Sequence, residues 1–141
     1  MRQPYSERGN RGFDRGGNLP GQDLPQIRFR ENGNLRRALL TTEAKTYADA
    51  FQGKKLTSHQ MRRFYNEVKA LEAKMEADGY EKNEALIGML KAKVAYASNR
   101  PTAKVPREFV DFINRSVDAI HSLQDFKDFS LFFESVVGFA D

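Results

Sequence analysis

The sequence contains no cysteine, and its 141 residues include only two histidines. Without cysteine the chain forms no disulfide and no thiolate metal site, which fits a reducing cytoplasm and leaves packing as the source of stability. It also lacks any apolar run approaching the roughly 20 residues that span a bilayer, and it lacks the apolar stretch of a secretory signal. We therefore expect a single-domain cytoplasmic protein with no membrane partner.

Few residues are suited to a catalytic or metal centre. His59 and His121 lie far apart; His59 is expected at a surface or facing RNA, and His121 at a helix end. Glu72 and Glu76 lie one helical turn apart, but no Glu-x-x-His accompanies them, so a solvated acidic face is the expectation. No phosphate-binding glycine loop, nucleophile elbow or zinc spacing is present. We predict that the protein is not an enzyme and uses no cofactor or metal.

Charge is distributed unevenly along the chain. Residues 1–37 hold eight arginines against four acids, which accounts for the net charge of +4. Residues 45–104 carry twelve Lys or Arg against seven acids, whereas residues 105–141 carry three against seven. A basic half attracts phosphates, and it could equally help copies of the protein dock head to tail on their acidic halves.

Glycine and proline are concentrated near the N-terminus. The first 34 residues contain six glycines and three prolines. This composition buries too little apolar area to offset its ordering entropy, so we predict a disordered tail over residues 1–34 and a helical domain over residues 35–141. The Arg-Gly steps of this tail are similar to those of tails that bind single-stranded nucleic acid, but a solubilising or frayed extension is the favoured explanation.

Apolar residues recur at three- and four-residue intervals in five segments, which predicts an all-α fold, a compact bundle of about five helices. The first helix is expected from Leu35 to about Phe51. The second begins at a capping box formed by Thr57 and Gln60, and it ends at Gly79.

The remaining helices have clear boundary residues. The third spans residues 83–98 and closes before a proline. Pro106 is expected as the first residue of the fourth, and Asp125 as the cap of the fifth. The fifth is apolar nearly all round, so it lies either at the centre of the core or against a partner. The third is expected to bury Leu86, Met89, Leu90, Val94 and Ala97.

Basic side chains cluster around the second and third predicted helices. A line of bases on rigid helices can follow a phosphate backbone without reading sequence. The alternative is an ordinary solvated face, because acids such as Glu67 and Glu72 lie nearby. The candidate RNA-binding residues are Lys54, Lys55, Arg62, Arg63, Lys69, Lys91, Lys93 and Arg100.

Three blocks of sequence, taken in order, resemble a known family. They read LTSHQMRRFYNEV at residues 56–68, LKAKVAYASNR at residues 90–100 and FSLFFESVV at residues 129–137. Together they resemble the small helical subunit of type III-A CRISPR effector complexes, the Csm small-subunit family, over residues 35–141. Ala92 stands where that pattern often has proline or a similar residue, and the Arg/Gly-rich N-terminus has no counterpart in it.

The resemblance implies a helical bundle present in several copies, stacked as an inner filament along the guide RNA and the target RNA. It implies as partners the Csm backbone subunits, the large polymerase-like subunit and other copies of the protein, with catalysis belonging to the larger subunits. The basic positions of the family fall on Arg62, Arg63, Lys91, Lys93 and Arg100. Three further residues are added from geometry alone: Lys54, Lys55 and Lys69.

Two hypotheses follow. In the first, the protein is a non-catalytic subunit that binds the RNA backbone through a basic helical face, which requires the positive side chains of the middle two helices to share one exposed surface. In the second, it is a purely structural helical spacer or adaptor that contacts other proteins and not RNA. Acids such as Glu108 and Asp111 would then meet the basic middle of the next copy.

Overall fold

The computed structural model describes residues 24–141, which form a short hairpin followed by a bundle of five helices. A π-helical turn over Leu39–Glu43 leads directly into the first helix. The strands are β1 (Arg30–Glu31) and β2 (Asn34–Leu35), and the helices are α1 (Ala44–Ala50), α2 (Ser58–Asp78), α3 (Tyr80–Ser98), α4 (Arg107–Asp118) and α5 (Leu123–Ala140). The predicted all-α class with five helices is confirmed.

The first helical region begins later than the sequence predicted. Leu35 lies in β2 and pairs with Arg30 of β1, so it does not open a helix. Asn32 and Gly33 both have positive φ angles, 53° and 80°, which is the backbone of a type I′ turn that suits the twist of a hairpin. Because Asn-Gly supplies this turn, the chain reverses before it becomes helical.

Residues 24–34 pack against the bundle, so the prediction of disorder is wrong for them. Ile27 and Phe29 are buried in the core. Arg30 Nε of β1 donates a hydrogen bond of 2.7 Å to the buried carboxylate of Asp128 in α5. The buried side chains of Ile27 and Phe29 and the ion pair of Arg30 therefore hold residues 24–34 against the bundle, although most residues of this segment are polar. The remainder of the predicted tail, residues 1–23, lies outside the described residues.

Helix α2 follows its sequence signals closely. The Thr57 hydroxyl accepts from the Gln60 backbone N–H at 3.0 Å, while the Gln60 side chain accepts from the Thr57 N–H at 2.9 Å. This reciprocal capping box satisfies two backbone donors at the helix start. Gly79, with a φ of 102°, separates α2 from α3.

Helix α3 has a different buried face from the predicted one. It starts at Tyr80 instead of residue 83. Its buried apolar residues are Ile87, Leu90 and Val94, which follow one another at intervals of three and four residues. Leu86 and Met89 lie one position off this stripe and are exposed. The prediction that these two side chains are buried is therefore wrong, because the helix turns its Ile87 face toward its neighbours.

The starts of α4 and α5 differ slightly from the prediction. Pro106 occupies the N-cap position before α4 instead of its first turn. Ser122 is the N-cap of α5, and its hydroxyl accepts from the Asp125 N–H at 3.1 Å. The Asp125 carboxylate accepts in turn from the His121 N–H at 2.8 Å, so Asp125 completes the cap from inside the helix.

Aromatic side chains of α4 and α5 fill the centre of the bundle. The Phe112 ring lies 5.1 Å from that of Phe133 and 5.5 Å from those of Phe132 and Tyr47, centroid to centroid. Such tilted and edge-on pairs add to the stabilisation from burial alone. Helix α5 packs on both α1 and α2, which places it at the centre of the core.

Candidate nucleic-acid interface

A groove of about 420 Å³ runs between α2 and α3 and reaches the loop that follows α3. Two hydrogen bonds fix this loop: Val105 N–H donates to the Ala97 carbonyl at 3.2 Å, and the Gln60 side chain donates to the Ala103 carbonyl at 2.7 Å. The loop therefore closes one end of the groove. The lining residues are Gln60, Arg63, Phe64, Glu67, Met89, Ala92, Lys93, Tyr96, Ala97, Arg100 and Val105.

Three of the candidate RNA-binding residues line this groove: Arg63, Lys93 and Arg100. Lys93 forms an ion pair with Glu67 across the groove. Arg63 and Arg100 have no carboxylate partner and no side-chain hydrogen bond among residues 24–141. These two guanidinium groups can therefore meet an external anion without first breaking an ion pair.

Two other candidates lie at the edge between α2 and α5. Arg62 forms an ion pair with Asp141, and the hydrogen bonds from Ser58 and then Arg62 hold the pKa of the Asp141 carboxyl below its ordinary value. Lys69 bonds to Glu72 at 3.0 Å, and this hydrogen bond raises the pKa of the Lys69 ammonium. Both cations are thus matched with acids of the bundle itself.

The remaining candidates lie elsewhere again. Lys91 extends to Asp118 at the end of α4, at 2.6 Å. Lys54, before α2, pairs with Glu108 at 3.3 Å. Glu108 is only 6% exposed, so it is not available as a docking acid in the way the second hypothesis supposed. Lys55 is exposed and has no carboxylate partner within the described part of the chain.

The expectation of one shared basic surface is therefore wrong for the full set of eight residues. Helix α3 sends Lys91 toward α4 and Lys93 toward α2, because residues two positions apart project from different sides of a helix. Arg62 and Arg63 likewise diverge, one toward α5 and the other into the groove. Only the groove brings cations from both middle helices together, and contact with RNA stays a prediction for all eight.

Sequence reasoning missed two groove residues, Met89 and Tyr96, whose side chains are 48% and 72% exposed. Their signal was present in the sequence, since Met89, Lys93, Tyr96 and Arg100 follow one another at intervals of four, three and four residues. That spacing places Met89, Lys93 and Tyr96 on one stripe of α3, and Arg100 follows in the loop just after the helix ends at Ser98. The stripe combines apolar and cationic groups.

The groups considered for catalysis or metal binding have ordinary partners. Glu72 bonds to Lys69, and Glu76 pairs with Lys127 at 2.9 Å. Residues 24–141 contain no group of three or more His, Asp or Glu side chains arranged to hold a metal ion. No helix in this part of the chain is long and apolar enough to cross a bilayer.

Fold and site together define a small all-helical protein whose surface groove combines apolar walls with cations from two helices. The chain belongs to the family described as Csm2 Type III-A, whose model matches residues 34–140. It is thus a small subunit of the type III-A CRISPR Csm complex, and it associates with other subunits of that complex. No curated protein and no solved structure matched the chain.

Proposed function

We propose that this protein is a non-catalytic, cytoplasmic subunit of the Csm complex that contacts the backbone of the guide RNA and the target RNA through the α2–α3 groove. One observation carries the proposal: Arg63 and Arg100 come together from two elements, and neither has an acidic partner among residues 24–141. Phosphates repeat along a nucleic acid, so these two guanidinium groups, one on α2 and one in the loop after α3, can hold neighbouring phosphates regardless of base sequence.

We expect the candidates that already form ion pairs to contribute less to RNA binding. Lys54, Arg62, Lys69, Lys91 and Lys93 each have a carboxylate partner. The carboxylate that pairs with Lys54, Glu108, is buried, but the other pairs are at least partly exposed. An exposed ion pair contributes only about 0–1 kcal/mol, so a phosphate can compete for the cations of those four pairs. Each exchange gains less than contact with a free guanidinium, because the displaced carboxylate must be solvated again. Like Arg63 and Arg100, Lys55 has no carboxylate partner in the described part of the chain, but it does not line the groove.

Contact with other subunits forms the second part of the proposal. Leu131 and Phe139 on α5 are each 45% exposed, outside the core that α5 otherwise fills. Exposed apolar side chains on one helix are typical of a surface that a protein partner covers. We propose that α5 packs on a neighbouring subunit, either another copy, a Csm backbone subunit or the large polymerase-like subunit, as copies stack in an inner filament along the RNA.

Salt-dependent RNA binding tests the first part. Fluorescence anisotropy with a short labelled RNA should show sequence-indifferent binding that weakens steeply from about 50 to 200 mM salt. The double variant Arg63→Ala/Arg100→Ala should lower the slope of log K against log salt by about 1.4 to 1.8, since each lost phosphate contact removes about 0.7 to 0.9.

The variant Arg62→Ala/Lys69→Ala is the matched control, because it removes two charges at the α2–α5 edge. It should keep most of the slope. An equal loss in both variants would contradict the assignment to the groove. If the wild-type protein and its assembled complex show no RNA contact by this chain, the purely structural spacer is the correct alternative. Turnover of labelled RNA with a divalent metal that a point mutation abolishes would contradict the non-catalytic assignment.

A further inference from the structure

Tyr96 is the most exposed of the large hydrophobic side chains in residues 24–141, at 72%. Met89, two turns earlier on the same stripe of α3, is 48% exposed. The Tyr96 hydroxyl has no hydrogen-bond partner among the described residues. Neither side chain adds much to folding in this position, whereas an exposed aromatic ring beside a groove is typical of a binding surface.

The groove beside Tyr96 has the size and composition of a ligand site. Its volume of about 420 Å³ falls within the roughly 300–1,000 Å³ of small-molecule pockets. Its apolar walls are formed by Phe64, Met89, Ala92, Ala97 and Val105. An aromatic ligand of modest size could therefore insert beside the Tyr96 ring while its polar groups remain at the rim.

The charge of the groove selects an anionic ligand. Arg63, Lys93 and Arg100 are opposed by one carboxylate, Glu67, which leaves a net charge of two positive. Since Glu67 is already paired with Lys93, the surplus resides on the two guanidinium groups. A nucleotide within a strand matches this arrangement, because its flat base can stack on the Tyr96 ring while the negatively charged phosphates on either side of it meet the cations.

A second copy of this chain fits the groove less well. The exposed apolar side chains of α5, Leu131 and Phe139, could enter it, but the neighbouring acids are already engaged. Asp141 is bonded to Arg62 and Ser58, and Glu134 accepts from the Tyr65 hydroxyl at 3.4 Å. A docked α5 would thus leave both groove guanidinium groups without carboxylates or would have to break these contacts. RNA phosphates neutralise them at no such cost.

Resting on the proposed function, we infer that the groove binds an unpaired base of single-stranded RNA, which stacks on Tyr96 while Arg63 and Arg100 hold the adjacent phosphates. The base must be unstacked and unpaired, because a base within a duplex cannot reach an inset groove. The subunit would then bind RNA through a non-ionic contact as well as through charge, and it would prefer single strands to duplexes.

The test compares full-length Tyr96→Leu with wild type on three labelled RNAs of equal length: a single strand, a duplex, and a strand whose nucleotides lack bases. Tyr96→Leu should weaken binding of the ordinary single strand roughly tenfold. Its salt slope should match wild type, since no charge is lost. Its affinity for the duplex and for the baseless strand should be unchanged.

Two further variants separate stacking from other effects of the substitution. Tyr96→Phe keeps the ring and should bind as wild type does. Leu86→Ala removes an exposed apolar side chain of the same helix that does not line the groove, and it should also leave binding unchanged. Circular dichroism would verify that each variant is folded.

Three results would overturn the inference. If Tyr96→Leu binds the single strand as tightly as wild type does while Arg63→Ala/Arg100→Ala is impaired, the base site is wrong and the backbone contact stands. If wild type binds no RNA at all, the proposed function fails as well. If Tyr96→Leu abolishes self-association in sedimentation experiments without changing RNA affinity, the groove is a protein interface.

Discussion

Lys93 of α3 forms an ion pair with Glu67 of α2 across the groove that these two helices form. The two side chains are 48% and 38% exposed, so the pair is open to solvent and contributes little to stability. Its larger effect is on the charge of the groove, because Glu67 is the only acidic residue that lines it within residues 24–141. Glu67 thus limits how strongly the groove attracts an anion.

Replacing Glu67 should strengthen RNA binding. We expect Glu67→Gln to raise affinity about two- to fivefold at moderate salt, since it removes a repulsive charge and frees Lys93. The salt slope should steepen by about 0.7 to 0.9 if Lys93 then meets a phosphate. Anisotropy titrations over a salt series measure both quantities.

Glu76→Gln provides the control for that variant. Glu76 is also on α2 and also pairs with a lysine of another helix, Lys127, but it does not line the groove. The two variants have the same charge change and differ in position. Equal gains in affinity from both would show that total charge, and not the groove, determines RNA binding.

Truncating the central aromatic side chain should destabilise the bundle strongly. Phe112 is fully buried and contacts rings from α1 and α5, so Phe112→Ala should lower the free energy of unfolding by about 3–5 kcal/mol. Urea denaturation followed by circular dichroism measures this loss. Phe139→Ala, at a half-exposed ring, should cost less than about 1 kcal/mol. Similar losses at both positions would contradict the described core.

The C-terminal ion pair predicts an acid-dependent loss of stability. Hydrogen bonds from Ser58 and Arg62 lower the pKa of Asp141 from its ordinary value of 3.8. Because the pKa of Asp141 is lower in the folded than in the unfolded state, the ionised carboxylate stabilises the fold. This stabilisation is fully present above the ordinary pKa and is lost as pH falls through the folded-state pKa.

Wild type should therefore lose more thermal stability than Asp141→Asn between about pH 5 and pH 2. Ser58→Ala should reduce this difference, because the Ser58 hydrogen bond lowers the pKa of Asp141 more than the Arg62 hydrogen bond does. The midpoint of thermal unfolding, measured across that range, tests the prediction. Identical pH profiles for wild type and Asp141→Asn would contradict it.

Local signals predicted much of the helical architecture. Helix α2 begins at the capping box of Thr57 and Gln60 and ends at Gly79. These boundaries depend on contacts between residues close in the chain, so the sequence alone predicts them. Asn32 and Gly33 have the residue types of a two-residue hairpin turn, but the strands beside them are only two residues long and show no apolar alternation. The buried face of α3 could not be predicted from the sequence. Ile87 and Met89 are both apolar, and only packing against neighbouring helices decides which of them is buried.

The candidate site was less predictable than the fold, because its ion pairs are distant in sequence. Lys93 and Glu67 are 26 residues apart, Lys91 and Asp118 are 27 apart, and Arg62 is 79 residues from its partner. No local pattern specifies such partners. The sequence could therefore identify the basic residues, whereas the three-dimensional fold was needed to separate the unpaired cations from the paired ones.

The most direct measurement is photo-crosslinking of the assembled Csm complex, loaded with guide and target RNA, followed by peptide mapping on this subunit. We expect crosslinks on groove-lining residues of this subunit: Arg63, Met89, Lys93, Tyr96 and Arg100. These crosslinks should be lost in Arg63→Ala/Arg100→Ala and retained in Arg62→Ala/Lys69→Ala. Crosslinks confined to α5 or the hairpin, or complete absence of RNA crosslinks to this subunit, would contradict RNA contact through the groove.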